Sequence, residues 1–168
     1  LDQEHKNVSG IIKGLHKLNH LIGNTQLDII GSGKNYDEYV ALVEVLGMNS
    51  QINFHGSKEN TEVFNILQRS HVLILNSYFE TFSIICAEAL LCGIPVIATR
   101  CGGPESFLND TTGILIDIGN NDQLTEAMVS IINNYESYSS EKLIQVAEQF
   151  SIKTIGDQLN EEYNRIMN

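Results

Sequence analysis

The chain has 168 residues, of which 42% are apolar, and its formal net charge is −11. This length suits one domain with a substantial core, and the acidic balance argues against nucleic acid, which is bound by clustered lysine and arginine. No stretch approaches the roughly 18 apolar residues of a membrane span, and the N-terminus lacks the pattern of a signal peptide, so we expect a cytoplasmic protein without a transmembrane segment.

The first predicted element is an amphipathic helix that follows Asn7, a plausible N-cap. Its apolar residues recur at helical spacing as far as Ile22, which is typical of a helix packed on a sheet. Residues 26–33 then read as a strand that runs into a Gly-x-Gly turn. A lone G-x-G is weak evidence for a phosphate site, so this turn is interpreted as structural first. A helix over residues 36–46 follows.

Residues 51–56 form the next predicted strand, in which Ile52 and Phe54 are expected to be buried. His55, at the end of this strand, is interpreted as a packing residue rather than a catalytic base. Residues 61–70 are predicted to form a helix. Residues 72–75 are a short apolar run, as expected for a buried parallel strand.

The most informative stretch runs from Tyr78 to Phe107. A helix is expected to begin near Thr81, with Thr81 or Ser83 as its cap, and to end at Gly93 before a strand over residues 96–98. A strand, a helix and a second strand in this order form one right-handed crossover unit of an α/β sheet. Ligands of such sheets bind beyond the carboxyl ends of the strands.

Two carboxylates and a row of amides mark this edge as a candidate site. Glu80 precedes the helix, and Glu88 is expected about two turns inside it, so the two should contact different parts of one ligand rather than flank a single bond. The amides between them are the unsatisfied donors of a helix N-terminus, which suit a phosphate. Carboxylates that accept hydrogen bonds from hydroxyl groups suit a sugar. The amides are those of Thr81, Phe82, Ser83 and Ile84.

The remainder of the chain predicts a turn at residues 109–113, a last short strand at 114–116 and three helices. The first helix has apolar residues at Leu124, Met128, Ile131 and Ile132, and the other two cover residues 141–150 and 152–167. There is no internal repeat, low-complexity tract or linker, so residues 1–168 are interpreted as a single compact domain.

The cysteines and histidines show no metal-binding pattern. Cys86, Cys92 and Cys101 lack C-x2-C spacing, and their odd number gives no disulfide framework, so they are interpreted as reduced and structural. His16 and His20 are four residues apart on a predicted helix, but no third ligand is evident nearby. The sequence therefore predicts no metal site.

Three segments between Glu80 and Glu105 resemble a known family. E-T-F-S-I-I-C-A-E-A, C-G-I-P-V-I-A-T and C-G-G-P-E are similar to the E-x7-E region of the family 4 (group 1) retaining glycosyltransferases of the GT-B fold. An ordinary strand-helix-strand with two solvated glutamates would explain the apolar residues, but not the Gly102-Gly103 turn or the acidic spacing.

The resemblance implies the C-terminal half of the GT-B fold, which is an α/β domain with a Rossmann-like, doubly wound parallel sheet and helices on both faces. In the family a strand ending in Gly-Arg precedes the position of Leu1. The first, central strand is therefore expected to be missing from this chain, and with it one half of the diphosphate clamp.

The resemblance also implies roles for particular residues. Lys6 falls where the relatives keep the lysine that grips the donor diphosphate, although without the resemblance it reads as a solvated lysine near a helix end. Glu80 would bind a hydroxyl of the donor sugar, which makes Glu80 and Lys6 the catalytic candidates, and Glu88 would bind the ribose. Lys6 and the amides from Phe82 to Ile84 would offset charge on the leaving diphosphate. The base would be held, largely by main-chain groups, in the turn that contains Gly56, Ser57 and Lys58.

The function so implied is donor binding in a glycosyltransferase that moves a sugar from a UDP- or GDP-linked donor to an acceptor with retention of configuration. No metal is expected, because a helix dipole and basic side chains can do the work of a cation. The implied partner is an N-terminal acceptor-binding domain of the same protein, without which the chain should be inactive and through which it would reach the inner face of the membrane.

The alternative is a non-catalytic module that binds nucleotide sugars, or one half of a sugar-nucleotide epimerase, which shares the architecture. An epimerase is not expected to carry E-x7-E in this register.

Overall fold

The computed structural model describes residues 4–23 and 25–167, which contain seven α-helices and five β-strands. Three short 3-10 helices, Glu4–Lys6, Gly103–Ser106 and Tyr135–Ser137, connect them. The α-helices are α1 (Val8–Ile22), α2 (Tyr36–Val45), α3 (Asn60–Leu67), α4 (Ile84–Leu91), α5 (Asn121–Asn133), α6 (Ser140–Glu148) and α7 (Ile152–Met167). The strands are β1 (Leu27–Ile30), β2 (Ile52–Gly56), β3 (Leu73–Leu75), β4 (Val96–Thr99) and β5 (Gly113–Ile116).

All strand pairs are parallel, and they form two hydrogen-bonded groups instead of one continuous sheet. β1 pairs with β2, with Leu27 opposite Ile52. β4 lies between β3 and β5, with Val96 opposite both Leu73 and Gly113. A doubly wound sheet of order 3-2-1-4-5-6 divides in this way when its first strand is left out. The fold class expected from the sequence is confirmed, with this division as the difference.

The three-stranded group is covered on both faces, because alternate residues of β4 enter different cores. Ile97 is fully buried among side chains of α1 and α5. Val96 and Ala98 are fully buried on the other side, among side chains of α4 and α6. A continuous apolar run in a short strand is the expected signature of a parallel strand with helices on both faces.

Local chemistry explains where α1 begins and how it packs. The N–H of Gly10 donates to Asn7 Oδ1 at 3.2 Å, so Asn7 is the N-cap that the sequence predicts. Asn7 has a φ of 44°, a left-handed conformation that asparagine tolerates better than most residues. Gly14 lets α1 approach α5 closely, since a Cβ there would lie 3.0 Å from the terminal methyl of Met128.

The predicted elements occur in the predicted order, but some details differ. α3 ends at Leu67, three residues early, because residues 68–70 continue only as hydrogen-bonded turns. Ile22 and Ile132, which helical spacing places inward, are 42% and 44% exposed. Ile22 is the last residue of α1 and Ile132 lies at the end of α5, where a helix turns away from the core it packs on.

Candidate functional site

The candidate site is built on the loop between β3 and α4, residues 76–83, which we call the donor loop. Its first two residues, Asn76 and Ser77, are buried. Further along, the N–H of Glu80 donates to Cys101 O at 3.0 Å, and the N–H of Gly103 donates to Glu80 O at 2.8 Å. These bonds form a parallel bridge between Glu80 and Gly102, which continues the β3–β4 pairing beyond the strands.

Two glycines allow the donor loop to lie against the segment after β4. Gly102 has a φ of 109°, and a Cβ there would lie 2.7 Å from Glu80 O. A Cβ on Gly103 would lie 2.5 Å from the backbone of Phe82. Real Cβ atoms do not approach backbone this closely, so the Gly-Gly pair, which strand and helix propensities leave unexplained, is required by a close passage of two backbones.

Lys6 and Glu80, the two residues predicted to be catalytic, meet in the structure. Lys6 Nζ donates to Glu80 Oε1, and Ser77 Oγ donates to the same oxygen at 2.7 Å. The Glu80 side chain is 14% exposed and that of Lys6 is 43% exposed. The N–H of Tyr78 also donates to His5 O at 2.6 Å, so the segment before α1 is fastened to the donor loop at two points.

The start of α4 differs from the prediction. The helix begins at Ile84, and Thr81 lies outside it on the exposed part of the loop. Ser83 occupies the N-cap position with a φ of 70°, and its hydroxyl lies 3.3 Å from Cys86 Sγ instead of capping the backbone. Glu88 is therefore four residues into α4, about one turn and not two.

The predicted amide donors are nevertheless available. Within the described residues, the N–H groups of 81–84 donate no hydrogen bond to the protein. Only that of Ile84 belongs to the helix, and the other three precede it, with Ser83 alone in a left-handed conformation. Unpaired N–H groups that follow one another in this way form a concave site for an anion.

Glu88 lies apart from this row of amides, in a concavity of about 360 Å³ between α3 and α4. The other residues that line it come from the first turns of α3, and they are Asn60, Thr61, Phe64 and Asn65. A carboxylate beside a half-exposed aromatic ring offers acceptors for hydroxyl groups and an apolar surface. A larger concavity, of about 600 Å³, is lined by the N-terminal turns of α1 and α2 together with Tyr78.

The turn predicted to hold a base, residues 56–58, joins the end of β2 to α3. Gly56 has a φ of 67°, and its carbonyl accepts from the N–H of Gly31 at 2.8 Å. Ser57 Oγ lies 2.7 Å from Ser32 Oγ, so this turn and the Gly-x-Gly turn after β1 touch. Lys58 forms a surface ion pair with Glu62 at 2.9 Å, an interaction that sequence reasoning missed.

A polar pair on β1 and β2, formed by Asp28 and His55, was also not predicted from the sequence. His55 Nε2 lies 2.6 Å from Asp28 Oδ1, which also accepts from Asn53 Nδ2 at 3.1 Å. Burial alone would raise the pKa of Asp28, but the hydrogen bonds from His55 and Asn53 hold that pKa below its ordinary value. His55, interpreted from the sequence as a packing residue at the end of its strand, is partly buried there and also hydrogen-bonds to Asp28, a contact that we did not predict.

The cysteines near the site are unreactive thiols. Burial raises the pKa of the Cys86 thiol to about 12, against a smaller lowering by the hydrogen bond with Ser83. Burial also raises the pKa of Cys101, which lies near Glu80 and Lys6. A thiol with a raised pKa stays protonated and is a poor nucleophile.

Among residues 4–23 and 25–167, no three metal-ligating side chains come together. None of the helices in these residues is both long and apolar enough to cross a bilayer.

The family described as glycosyl transferases group 1 matches residues 2–150. N-acetyl-alpha-D-glucosaminyl L-malate synthase of Bacillus anthracis is 25% identical over 171 aligned residues, which cover 92% of this chain and 44% of the synthase. Among solved structures, the apo form of the lipopolysaccharide outer core galactosyltransferase WaaB is 24% identical and has a TM-score of 0.79, with 93% of this chain and 44% of WaaB covered. Anabaena Alr3699/HepE, solved in complex with UDP, is 21% identical with a TM-score of 0.84, and the match covers 97% of this chain and 46% of that one.

The chain thus spans less than half the length of these relatives. The structural likeness bears out the expected fold, a Rossmann-like half of the GT-B architecture.

Proposed function

This chain belongs to the group 1 glycosyl transferases, and on that premise we propose that it binds the sugar donor of a retaining, family 4-type transferase. The donor would be a nucleoside diphosphate sugar, and the anomeric carbon would pass from the diphosphate to a hydroxyl of the acceptor. Two supports are the UDP seen in the HepE structure and the arrangement of polar groups around the donor loop.

One observation carries the proposal: Lys6 is paired with Glu80 on the donor loop, the same loop in which the amides that lead into α4 are unpaired. Lys6 reaches the donor loop through Glu80, and these N–H groups have no protein acceptor within the described residues. A cation and several fixed dipoles of the same sign would stabilise the negative charge that grows on the leaving diphosphate. With that charge offset by the protein, the proposed reaction would need no metal ion.

The two carboxylates would hold the two ends of the donor. Glu80 would accept a hydrogen bond from a hydroxyl of the sugar. Its side chain is held in place by hydrogen bonds from Ser77 and Lys6. Glu88 would accept the ribose hydroxyls in the concavity between α3 and α4. The base would lie towards the turn of Gly56, Ser57 and Lys58, which leads directly into α3.

The acceptor site would belong to a second, N-terminal domain of the same protein, because this chain covers only 44% of the malate synthase relative. We propose that α7, whose apolar residues are exposed, packs on that domain. A cytoplasmic location, with any attachment to the membrane made through the second domain, is part of the same proposal.

Calorimetric titration of the 168-residue chain with UDP, GDP and ADP tests the donor site. We expect one of the nucleotides to bind, and Lys6→Met to weaken that binding by about tenfold or more, as loss of a charge-assisted contact does. Lys17→Met is the matched control, because Lys17 pairs with Asp122 on the exposed surface of α1 and α5. Absence of heat with folded wild-type protein, or equal losses in the two variants, would contradict the proposal.

A further inference from the structure

The donor loop is anchored by an aromatic cluster of three rings, two of which lie outside the E-x7-E region. The rings of Phe82, Phe107 and Phe150 contact one another, with centroid distances of 5.5 Å for Phe82–Phe107, 5.3 Å for Phe82–Phe150 and 5.4 Å for Phe107–Phe150. All three angles between ring planes are steep, between 49° and 65°. Tilted and edge-to-face contacts at these distances are attractive beyond the burial of apolar area.

The cluster joins three separate parts of the chain. Phe82 belongs to the donor loop, between Glu80 and the left-handed Ser83. Phe107 is 5% exposed and follows the short helix Gly103–Ser106. Phe150 lies two residues beyond the end of α6, in a turn where its N–H donates to Ala147 O at 3.0 Å. Phe150 is therefore the point at which the α6 end touches the donor loop.

The donor loop needs such an anchor. A φ of 70° is unfavourable for serine, so Ser83 keeps this conformation only where its surroundings enforce it. On one side the loop is fixed by the backbone bonds of Glu80 to Cys101 and Gly103. On the other side the Phe82 side chain packs against the core between α4 and α6, where its ring contacts those of Phe107 and Phe150.

We infer that Phe150 is a positioning residue of the donor site: by holding the ring of Phe82, it holds the amides of residues 81–84 in the orientation that receives the diphosphate. The inference rests on the proposed function for its consequence, nucleotide binding, but the mechanical link between Phe150 and the donor loop stands on the ring contacts alone. Phe150 itself touches no substrate in this account.

The first measurement is nucleotide affinity, with UDP as the probe and the 168-residue chain as the protein. Phe150→Ala removes both ring contacts, and we expect it to weaken UDP binding by about tenfold. Phe150→Leu keeps part of the apolar volume and should give an intermediate loss. Met128→Ala is the control, because Met128 is a buried side chain of comparable size in the other core, between α1 and α5. It should lower thermal stability without changing UDP affinity at a temperature where all variants are folded.

The second measurement is hydrogen exchange of individual amides by NMR, without nucleotide. The N–H groups of Glu80 and Gly103 form the hydrogen bonds that join the donor loop to the segment after β4. Phe150→Ala should speed the exchange of these two amides by about tenfold or more relative to amides in β4. Met128→Ala should instead change the exchange rates of the two amides and of the β4 amides by the same factor.

The two measurements separate the possible failures. If wild-type chain binds none of UDP, GDP and ADP, the proposed nucleotide site fails, and the exchange rates still decide whether Phe150 anchors the loop. The inference is overturned if Phe150→Ala leaves the exchange of Glu80 and Gly103 unchanged relative to β4. It is equally overturned if UDP binds wild type and Phe150→Ala alike, or if Met128→Ala weakens UDP binding by the same factor.

Discussion

Glu80 has two hydrogen-bond donors on one carboxylate oxygen, from Lys6 and from Ser77, while its backbone is paired on both sides with the segment after β4. Neither the charge nor the main chain has to move far when a ligand arrives. Groups that are oriented in advance stabilise a transition state without reorganisation. Lys6 could pair with either of two anions, because a diphosphate on the donor loop would compete with Glu80 for its ammonium group.

Replacement of Glu80 by glutamine should therefore separate binding from transfer. In the full-length protein, Glu80→Gln should lower the rate of sugar transfer by about 100-fold, as loss of one preorganised polar contact commonly does. Affinity of the 168-residue chain for UDP should stay within about threefold or improve, since Lys6 is released to the diphosphate. Steady-state kinetics and calorimetry measure the two effects.

The control for this prediction is Glu126→Gln, on the exposed surface of α5. It removes the same charge and should change neither quantity. If Glu80→Gln transferred sugar at the wild-type rate, the catalytic role proposed for Glu80 would be wrong.

The close passage at Gly103 gives a second prediction. Gly103→Ala places a Cβ 2.5 Å from the backbone of Phe82, so the donor loop must shift, and we expect a loss of about 1–3 kcal/mol in the free energy of unfolding together with weaker UDP binding. Gly156→Ala in α7 is matched, because no atom lies within 4 Å of a Cβ there. It should be neutral or slightly stabilising. Urea denaturation distinguishes the two, and equal stability of both variants would contradict the close contact.

These residues also show how far the sequence alone reaches. The importance of Glu80, Glu88 and the Gly-Gly pair was predicted from their spacing and from the family resemblance. The ion pair between Lys6 and Glu80 was not, because the two residues are 74 positions apart and only the folded chain brings them together. The aromatic partner of Phe82 at residue 150 has no local sequence signal either.

At the scale of elements, a helix N-cap formed by a side-chain hydrogen bond was predictable, and an N-cap with a strained backbone conformation was not. Asn7 caps α1 through its own side chain, as asparagine commonly does. α4 begins later than predicted because Ser83 adopts a left-handed conformation that propensity assigns to glycine or asparagine. Tertiary contacts of the donor loop impose that conformation, so no pattern within residues 78–93 reveals it.

The polar pair on β1 and β2 gives a pH-dependent prediction. The pKa of Asp28 is held below its ordinary value in the folded chain, so the ionised carboxylate stabilises the fold at any pH above the unfolded pKa, about 3.9. That contribution is lost as pH falls through the lower, folded pKa. Asp28→Asn should therefore be less stable than wild type by about 1 kcal/mol at pH 7, and the difference should shrink below about pH 4.

Urea unfolding of both proteins between pH 7 and pH 3 measures this difference. Asp157→Asn, on the exposed surface of α7, is the control and should show little difference at any pH. A difference between wild type and Asp28→Asn that stayed constant down to pH 3 would mean that the Asp28 charge contributes nothing.

At the scale of the whole molecule, the pattern of apolar residues predicted a strand-helix-strand crossover unit, and the resemblance implied the doubly wound parallel sheet with helices on both faces. The division of the strands into two groups did not follow from the pattern, since strand propensity does not say which strands pair. The resemblance implied a first strand between β1 and β3 in the doubly wound order, and that strand stays a prediction. Periodicity failed at helix ends such as Ile22, where spacing continues but the core does not.

α7 carries the last prediction, because its amphipathic pattern has no corresponding core. Ile155, Leu159, Tyr163 and Ile166 recur at helical spacing, yet they are between 40% and 77% exposed. If α7 packs on the proposed N-terminal domain, then Leu159→Gln should change the unfolding free energy of the 168-residue chain by no more than about 0.5 kcal/mol. The same change in the full-length protein should cost about 1–2 kcal/mol, since there it would place a polar group in an apolar interface. Glu161→Gln, on another face of α7, is the control and should be neutral in both proteins. Thermal unfolding of the four variants measures these effects. An equal effect of Leu159→Gln in the short and the long protein would mean that the second domain does not cover this face.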